Sequence, residues 1–296
     1  MTWDPDGVEL SLALAPRIAP LLARRTAGLA ERTPADLTFG NLWLFREAHR
    51  WRWHEGLWPF ISGQAYDGSA IALPLFDPTT TPADLLRELT TRHGALFPLS
   101  GSEAQTARDA GFDLTHSRDD ADYVYAAQAF REYRGRALRK KANLMAQLTA
   151  THLVQAEPYE VGLRDLALCV LDGWLADKGK SPGDADDAAC RGALDLASEL
   201  RLRGFLYRAD GEPAGFLLAE PLQTGVWAIR FAKGLARFKG IAQFMFHHFA
   251  TSGGGDASVD WLNFEQDLGL ANFRRTKTSY RPAFLLPKWR LLPPTS

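Results

Sequence analysis

From Gly204 onward the apolar pattern of the chain changes period from about 3.6 residues to about 2, and that switch constrains the fold more than any other feature. Gly204 to Arg208 reads as a strand and Ala209-Asp210-Gly211-Glu212 as a hairpin turn. Ala214 to Glu220 is then the returning strand and Gly225 to Ala232 a third. Before the switch, Leu163, Leu166, Ala167, Val170, Leu171 and Trp174 fall on one helical stripe. The acidic, Pro- and Gly-containing loop Ser181 to Asp187 separates that helix from another reaching about Leu202. After the third strand come a basic, glycine-bearing loop and a helix over Gln243 to Ala250, which Gly253-Gly254-Gly255 ends. Val259 to Phe264 reads as a buried strand, Asn272 to Ser279 as a short helix, and Ala283 to Leu286 as the last strand. An antiparallel ladder that continues through strand, helix and strand is an α+β unit.

The first 120 residues or so predict a second mixed unit. A helix spans 8 to 31, with Leu14, Ile18, Leu21, Leu22 and Leu29 at helical spacing. Thr33-Pro34-Ala35-Asp36 and Thr81-Pro82-Ala83-Asp84 each read as a helix start: Thr as N-cap, Pro at the first position, an acid in the first turn. Leu57 to Ile61, Ala70 to Phe76 and Ala95 to Leu99 are strands. The acidic run Arg118-Asp119-Asp120-Ala121-Asp122 marks the boundary, which gives domains 1–121 and 122–296. Thirty-four basic residues against thirty-five acidic ones give a net charge of −1, so any nucleic-acid contact must come from a local patch. Cys169 and Cys190 are too few for a disulfide framework or a cysteine zinc cluster, and both read as small buried hydrophobes. The apolar stretch Val8 to Ala23 is broken by Glu9, Pro16, Arg17 and Pro20, which is unsuited to a membrane span or a signal peptide. The expectation is a soluble, cytoplasmic protein.

The chemistry-bearing motifs lie in the second half. Tyr133 to Leu148 predicts a helix with Arg134, Arg136, Arg139, Lys140 and Lys141 in its first half. Arg136, Lys140 and Asn143 fall at i, i+4 and i+7, a face suited to phosphates or simply a solvated basic face. The element order of this half is similar to the acyltransferase fold of the N-acetyltransferase superfamily. In the loop before the helix, Arg237-Phe238-Lys239-Gly240-Ile241-Ala242 resembles that superfamily's R-x-x-G-x-G/A pattern. A glycine there lets the backbone approach an anion, and the N–H groups of the helix N-terminus face it.

A more specific resemblance rests on longer motifs. Asp122-Tyr123-Val124-Tyr125 followed by Tyr133-Arg134-Gly135-Arg136-Ala137-Leu138-Arg139-Lys140-Lys141-Ala142-Asn143 resembles the D-Y-V-Y strand and G-R-K-x-x-K-K-R-N helix of the phosphatidylglycerol lysyltransferase C-terminal domain family. Asn263-Phe264-Glu265-Gln266-Asp267-Leu268-Gly269 and Arg274-Arg275-Thr276-Lys277-Thr278-Ser279-Tyr280-Arg281-Pro282 are similar to its N-R-E-Q-D-L-G and L-R-K-x-K-x-S-Y-x-P motifs. Phe231-Ala232-Lys233 and Lys239-Gly240-Ile241 agree as well, and Leu37-Thr38-Phe39-Gly40-Asn41-Leu42 carries the looser agreement of the first half. The resemblance implies two tandem N-acetyltransferase-like (GNAT) domains, each a mixed, mostly antiparallel sheet flanked by helices, with the active site in the second. It also implies aminoacyl-tRNA as donor and a lipid hydroxyl as acceptor. Phe264 and Ala142 depart from the pattern, which has basic residues there. The multi-helix membrane portion of the lipid-modifying synthases has no counterpart in the sequence, which favours a soluble acceptor.

These motifs supply the candidate site. Asn263, Glu265 and Asp267 share strand parity and can hold the ammonium of an aminoacyl group, unless Asp267 only caps the next helix. Lys277 and Arg274, three apart on a helix, can stabilise an oxyanion or be plain surface charge, and Tyr280 can protonate a leaving group or be structural. Arg136, Arg139, Lys140, Lys141, Asn143, Lys233, Arg237, Lys239 and Gly240 are the tRNA- or phosphate-binding candidates. The adjacent His247 and His248 do not make a metal site, and no cofactor or nucleophile motif is present. The leading expectation is an aminoacyltransferase moving an amino acid from aminoacyl-tRNA to an amine or hydroxyl of a small-molecule or peptide acceptor. The alternatives are an acyl-CoA-dependent N-acyltransferase, a phosphatidylglycerol-modifying enzyme without its membrane domain, and a non-catalytic module that binds RNA or anions.

Overall fold

Two sheets carry the chain, and both join an antiparallel ladder to a parallel strand pair through a helical crossover. The computed structural model describes residues 6–183, 186–253 and 258–294. Numbered in chain order, the strands are β1 Val8–Glu9, β2 Arg52–His54, β3 Phe60–Gln64, β4 Ala70–Pro74, β5 Ala95–Leu99, β6 Leu114–His116, β7 Asp122–Ala126, β8 Val154–Pro158, β9 Arg203–Ala209, β10 Glu212–Gln223, β11 Val226–Gly234, β12 Trp261–Asn263, β13 Phe284–Leu286 and β14 Trp289–Leu291. The first sheet runs β1-β2-β3-β4-β5-β14-β6 and the second β13-β7-β12-β11-β10-β9-β8.

In the first sheet, β3 and β4 pair antiparallel, while β4 and β5 pair parallel at Ile71↔Ala95 and Ala72↔Leu96. The crossover between them is the helix Ala83–His93, which buries Leu85, Leu86 and Leu89 on one stripe. Those leucines pack with Phe60, Ala72, Leu96, Leu99 and Leu291 in the core of this unit. Of the two expected Thr-Pro helix starts, the second is one residue out, with Pro82 as the N-cap. The first fails: Thr33 to Leu37 form turns, and the helix Phe39–Leu44 begins at Thr38, whose hydroxyl accepts from the Asn41 N–H. The expected helix 8 to 31 contracts to Ala15–Thr26.

In the second sheet the hairpin is where the period-2 pattern puts it. Asp210 and Gly211 both take positive φ, 51° and 85°, the geometry of a type I′ turn. β10 and β11 are buried almost throughout, because the helices Arg164–Asp177 and Ile241–Ser252 pack on the ladder they form. Gly253 ends the second of these helices, while Gly254 and Gly255 lie outside the described residues. The predicted helix Tyr133 to Leu148 is two pieces. Tyr133 (φ 44°) and Gly135 (φ 86°) turn the backbone left-handed, so Gln128–Glu132 and Arg139–Thr151 are separate helices. Cys190 is buried as expected, whereas Cys169 is exposed.

Two compact units result. One holds the residues up to Asp122 together with Gln266–Ala271 and the chain from Leu285, and the other holds Tyr123–Glu265 and Asn272–Phe284. This differs from a plain division into 1–121 and 122–296. The reason is β14, a strand the sequence pattern does not reveal, which pairs with β5 at Trp289↔Leu99 and with β6 at Trp289↔His116.

Candidate active site

The parallel pair β11–β12 is hydrogen-bonded only over Val226↔Trp261, Trp227↔Leu262 and Ala228↔Asn263, after which the strands part. At that point β11 carries a bulge: Leu218 pairs with Phe231 and Ala219 with Ile229, which leaves Arg230 as the extra residue. A bulge re-aims a side chain and interrupts the ladder, and such features concentrate beside active sites. Here it turns Arg230 into a fully buried position between two carboxylates. Its Nε donates to Glu220 Oε2 at 2.8 Å, and its Nη1 donates to Glu265 Oε1. Burial works against the guanidinium charge, but Glu220 and then Glu265 outweigh it and hold the pKa above its ordinary value. Two carboxylates thus flank one buried guanidinium at the divergence. Glu265 is the more open of the two, with a side chain 21% exposed against 6% for Glu220.

The backbone around Glu265 is tied down on several sides. Glu265 itself has a φ of 58°, and Asn263 Oδ1 accepts its N–H at 2.7 Å. Lys277 Nζ donates to the carbonyl oxygens of Phe264 at 2.6 Å and Glu265 at 3.3 Å, and the Lys277 carbonyl accepts from Tyr125 Oη at 2.7 Å. Lys277 thus clamps the chain that presents Glu265. Arg274 is half-buried on the same helix, Ala271–Thr278. Tyr280 is buried; its hydroxyl accepts from Gln243 Nε2 at 2.7 Å, and Lys141 Nζ sits 4.0 Å over its ring. Burial pushes the Tyr280 phenol up to about 12, the Gln243 hydrogen bond working the other way, and burial followed by Lys140 lowers Lys141. The Tyr280 hydroxyl is therefore protonated near neutral pH and engaged by Gln243.

Lys233 extends the same array along β11. It is buried, with Nζ 2.8 Å from both carboxylate oxygens of Asp186 and 4.0 Å from the centre of the Trp174 ring, so it is engaged by a carboxylate rather than open to phosphate. The expected triplet of Asn263, Glu265 and Asp267 does not assemble. Asp267 is fully buried in the other unit, where it pairs with Arg118 at 3.2 Å and accepts the Gly269 N–H at 2.9 Å. The left-handed backbone at Glu265 breaks the strand parity on which that triplet depended.

The basic candidates are distributed differently from the expected helix face. Arg136 lies in the turn before the helix Arg139–Thr151, with Arg139 and Lys140 exposed in its first turn and Asn143 exposed further along. Arg237 pairs with Glu212 at 2.8 Å, and Lys239 is exposed. Gly240 has a packing role: a Cβ there would stand 2.1 Å from the Leu144 carbonyl oxygen, so the glycine lets the two helices approach. Arg230, Glu220, Asp186 and Trp174 were missed as site residues. The available signal was a charge inside each of two apolar strands, Arg230 in Val226–Gly234 and Glu220 in Glu212–Gln223, since buried charges require partners.

An antiparallel ladder leading into a diverging parallel pair, repeated on the plan of two successive sheets and bulged in the second, defines a tandem N-acetyltransferase-like fold. The chain belongs to the phosphatidylglycerol lysyltransferase C-terminal family, whose pattern matches residues 27–292, and is thereby placed among transferases. Among solved structures it is similar to a conserved protein of unknown function from Bacteroides thetaiotaomicron, 19% identical with a TM-score of 0.79, covering 96% of this chain and 98% of that one. A domain described as the C-terminal part of a lysylphosphatidylglycerol synthetase from Agrobacterium fabrum is 18% identical with a TM-score of 0.59, covering 95% and 92%. FemX is 8% identical with a TM-score of 0.58, covering 99% and 97%. At these identities the likeness is one of fold. No curated protein matches in sequence. No helix among the described residues is long and apolar enough to cross a membrane.

Proposed function

We propose that the protein is an aminoacyl-tRNA-dependent aminoacyltransferase acting in the cytoplasm on an amine or hydroxyl of a small-molecule or peptide acceptor. The observation that carries this reading is the Glu220–Arg230–Glu265 array at the divergence of β11 and β12, with its buried guanidinium and its partly open Glu265 carboxylate. An aminoacyl ester brings an ammonium next to the reacting carbonyl, and a carboxylate held by a buried guanidinium is a fixed acceptor for it. The ester is already activated. The acceptor nitrogen or oxygen bonds to the carbonyl carbon, the carbon–oxygen bond to the ribose breaks, and the acceptor's proton ends on the ribose oxygen. The enzyme's contribution is placement, which requires no nucleophile of its own.

The tRNA is assigned to Arg136, Arg139 and Lys140. Cations in the first turn of a helix oppose its dipole, and no acidic residue balances them there. A phosphate bound at that end relieves both. The test is transfer of radiolabel from charged tRNA to amine, hydroxyl and peptide acceptors, with phosphatidylglycerol vesicles and acetyl-CoA as parallel arms. Label recovered in a soluble acceptor is the expected result. Label recovered only in lipid would reassign the acceptor, and acetyl transfer without aminoacyl transfer would overturn the donor.

A further inference from the structure

An aminoacyl ester sits on the ribose of its tRNA's terminal adenosine, so a site that holds the ester must also seat a purine base one ribose away. The second unit offers an aromatic surface for that base beside the segment that presents Glu265. Phe273 is the one exposed phenylalanine, tyrosine or tryptophan among the described residues of this unit, at 40% exposure. It lies on the helix Ala271–Thr278, one turn before Lys277. The Lys277 Nζ donates to the carbonyl oxygens of Phe264 at 2.6 Å and Glu265 at 3.3 Å, and it is 5.9 Å from the centre of the Phe273 ring. One ammonium therefore reaches both the Glu265 backbone and the neighbourhood of the ring.

Single apolar side chains are common on protein surfaces, so the surroundings of the ring decide what it can take. Its helix carries Arg274, Arg275 and Lys277 and no acidic residue. Phe273, Thr276 and Lys277 fall at i, i+3 and i+4, on one helix face, and Thr276 and Arg275 are exposed. Positive charge without a carboxylate on the helix disfavours a cationic ligand and favours a polyanion. An open ring among cations is the arrangement by which proteins hold single-stranded nucleic acid. The cations attract the backbone, and the ring stacks on a base whatever its identity.

We infer that Phe273 is the stacking platform for the terminal base of the donor tRNA. Seating the base there fixes the ribose, and with it the ester, beside the Glu265 segment. The role rests on aminoacyl-tRNA being the donor, and its test is built to fail separately from that reading. The full chain is titrated by filter binding with uncharged tRNA, either intact or with an abasic residue in place of the terminal adenosine. Both RNAs keep the same phosphates and neither carries an ammonium, so the comparison isolates the base. Loss of the base should weaken binding to the native protein about tenfold. Phe273→Ala should bind intact tRNA about tenfold more weakly and no longer distinguish the two RNAs, whereas Phe273→Trp should keep the distinction. A native protein indifferent to the base, or a Phe273→Ala variant that still distinguishes the RNAs, would overturn the platform and leave the transferase reading standing. No binding of either RNA would overturn both.

Discussion

Glu265 and Lys277 have different duties, and single substitutions separate them. Replacing Glu265 by Gln keeps its size and removes the charge offered to an ammonium. Affinity for charged tRNA should fall about tenfold while affinity for uncharged tRNA stays the same, as filter binding of the two forms would report. Equal losses for both forms would mean that Glu265 does not read the amino acid. Lys277 donates to the Phe264 and Glu265 carbonyls, so Lys277→Ala should loosen the segment that presents Glu265. Both kcat and affinity for the charged donor should then drop. A group acting only on the oxyanion would instead lower kcat alone, by something on the order of 10²–10³. Arg230→Met is the severe change, because it removes the buried guanidinium that pairs with both Glu220 and Glu265. Loss of one partner from a buried ionic group costs about 3–5 kcal/mol, and the thermal midpoint should fall by several degrees.

At the scale of elements, Gly240 and the basic turn answer different questions. Gly240→Val should fail to fold rather than fold without activity, because φ is 105° and the Leu144 carbonyl stands where Cβ would be. Loss of the native circular dichroism signal is the expected result. A well-folded, inactive variant would restore the anion-cradle role. Changing Arg136, Arg139 and Lys140 together to Ala should leave the fold intact and flatten the salt dependence of tRNA binding by about two units of slope. The long elements of the second unit were legible because each carries several periods of its pattern: the hairpin β9–β10, β11, and the helices Arg164–Asp177 and Ile241–Ser252. The strands that escaped, β1, β2, β6, β8 and β14, have two to five residues, mostly at sheet edges, too few to show alternation. The break at Tyr133 was invisible for another reason. A left-handed tyrosine has no sequence signature, and the only local hint was Gly135 two residues later.

At the scale of the whole chain, the sequence was least able to show which distant segments share a unit. Glu265 and Asp267 sit two residues apart and look like partners, yet the chain passes from one unit to the other between them. The same holds for Lys288, whose partners Asp36 and Asp122 lie far back along the chain. Burial opposes the Lys288 charge, but Asp122 and Asp36 overcome it and hold the ammonium pKa above its usual value, so this buried cation depends on both segments. A fragment ending at Ala121 therefore lacks Asp122 and Lys288 and the strand between β5 and β6, and leaves Asp36 without its cation. Such a fragment should show no cooperative thermal transition. Joining residues 6–122 to residues 284–294 through a flexible Gly/Ser linker restores β14, and with it Lys288, to the sheet. That chimera should melt cooperatively, and hydrogen exchange should show protection across Ala95–Leu99 and Leu114–His116. Should residues 1–121 melt cooperatively by themselves, β14 would be an accessory to the first sheet, and the functional division of the chain would fall at the acidic run after all.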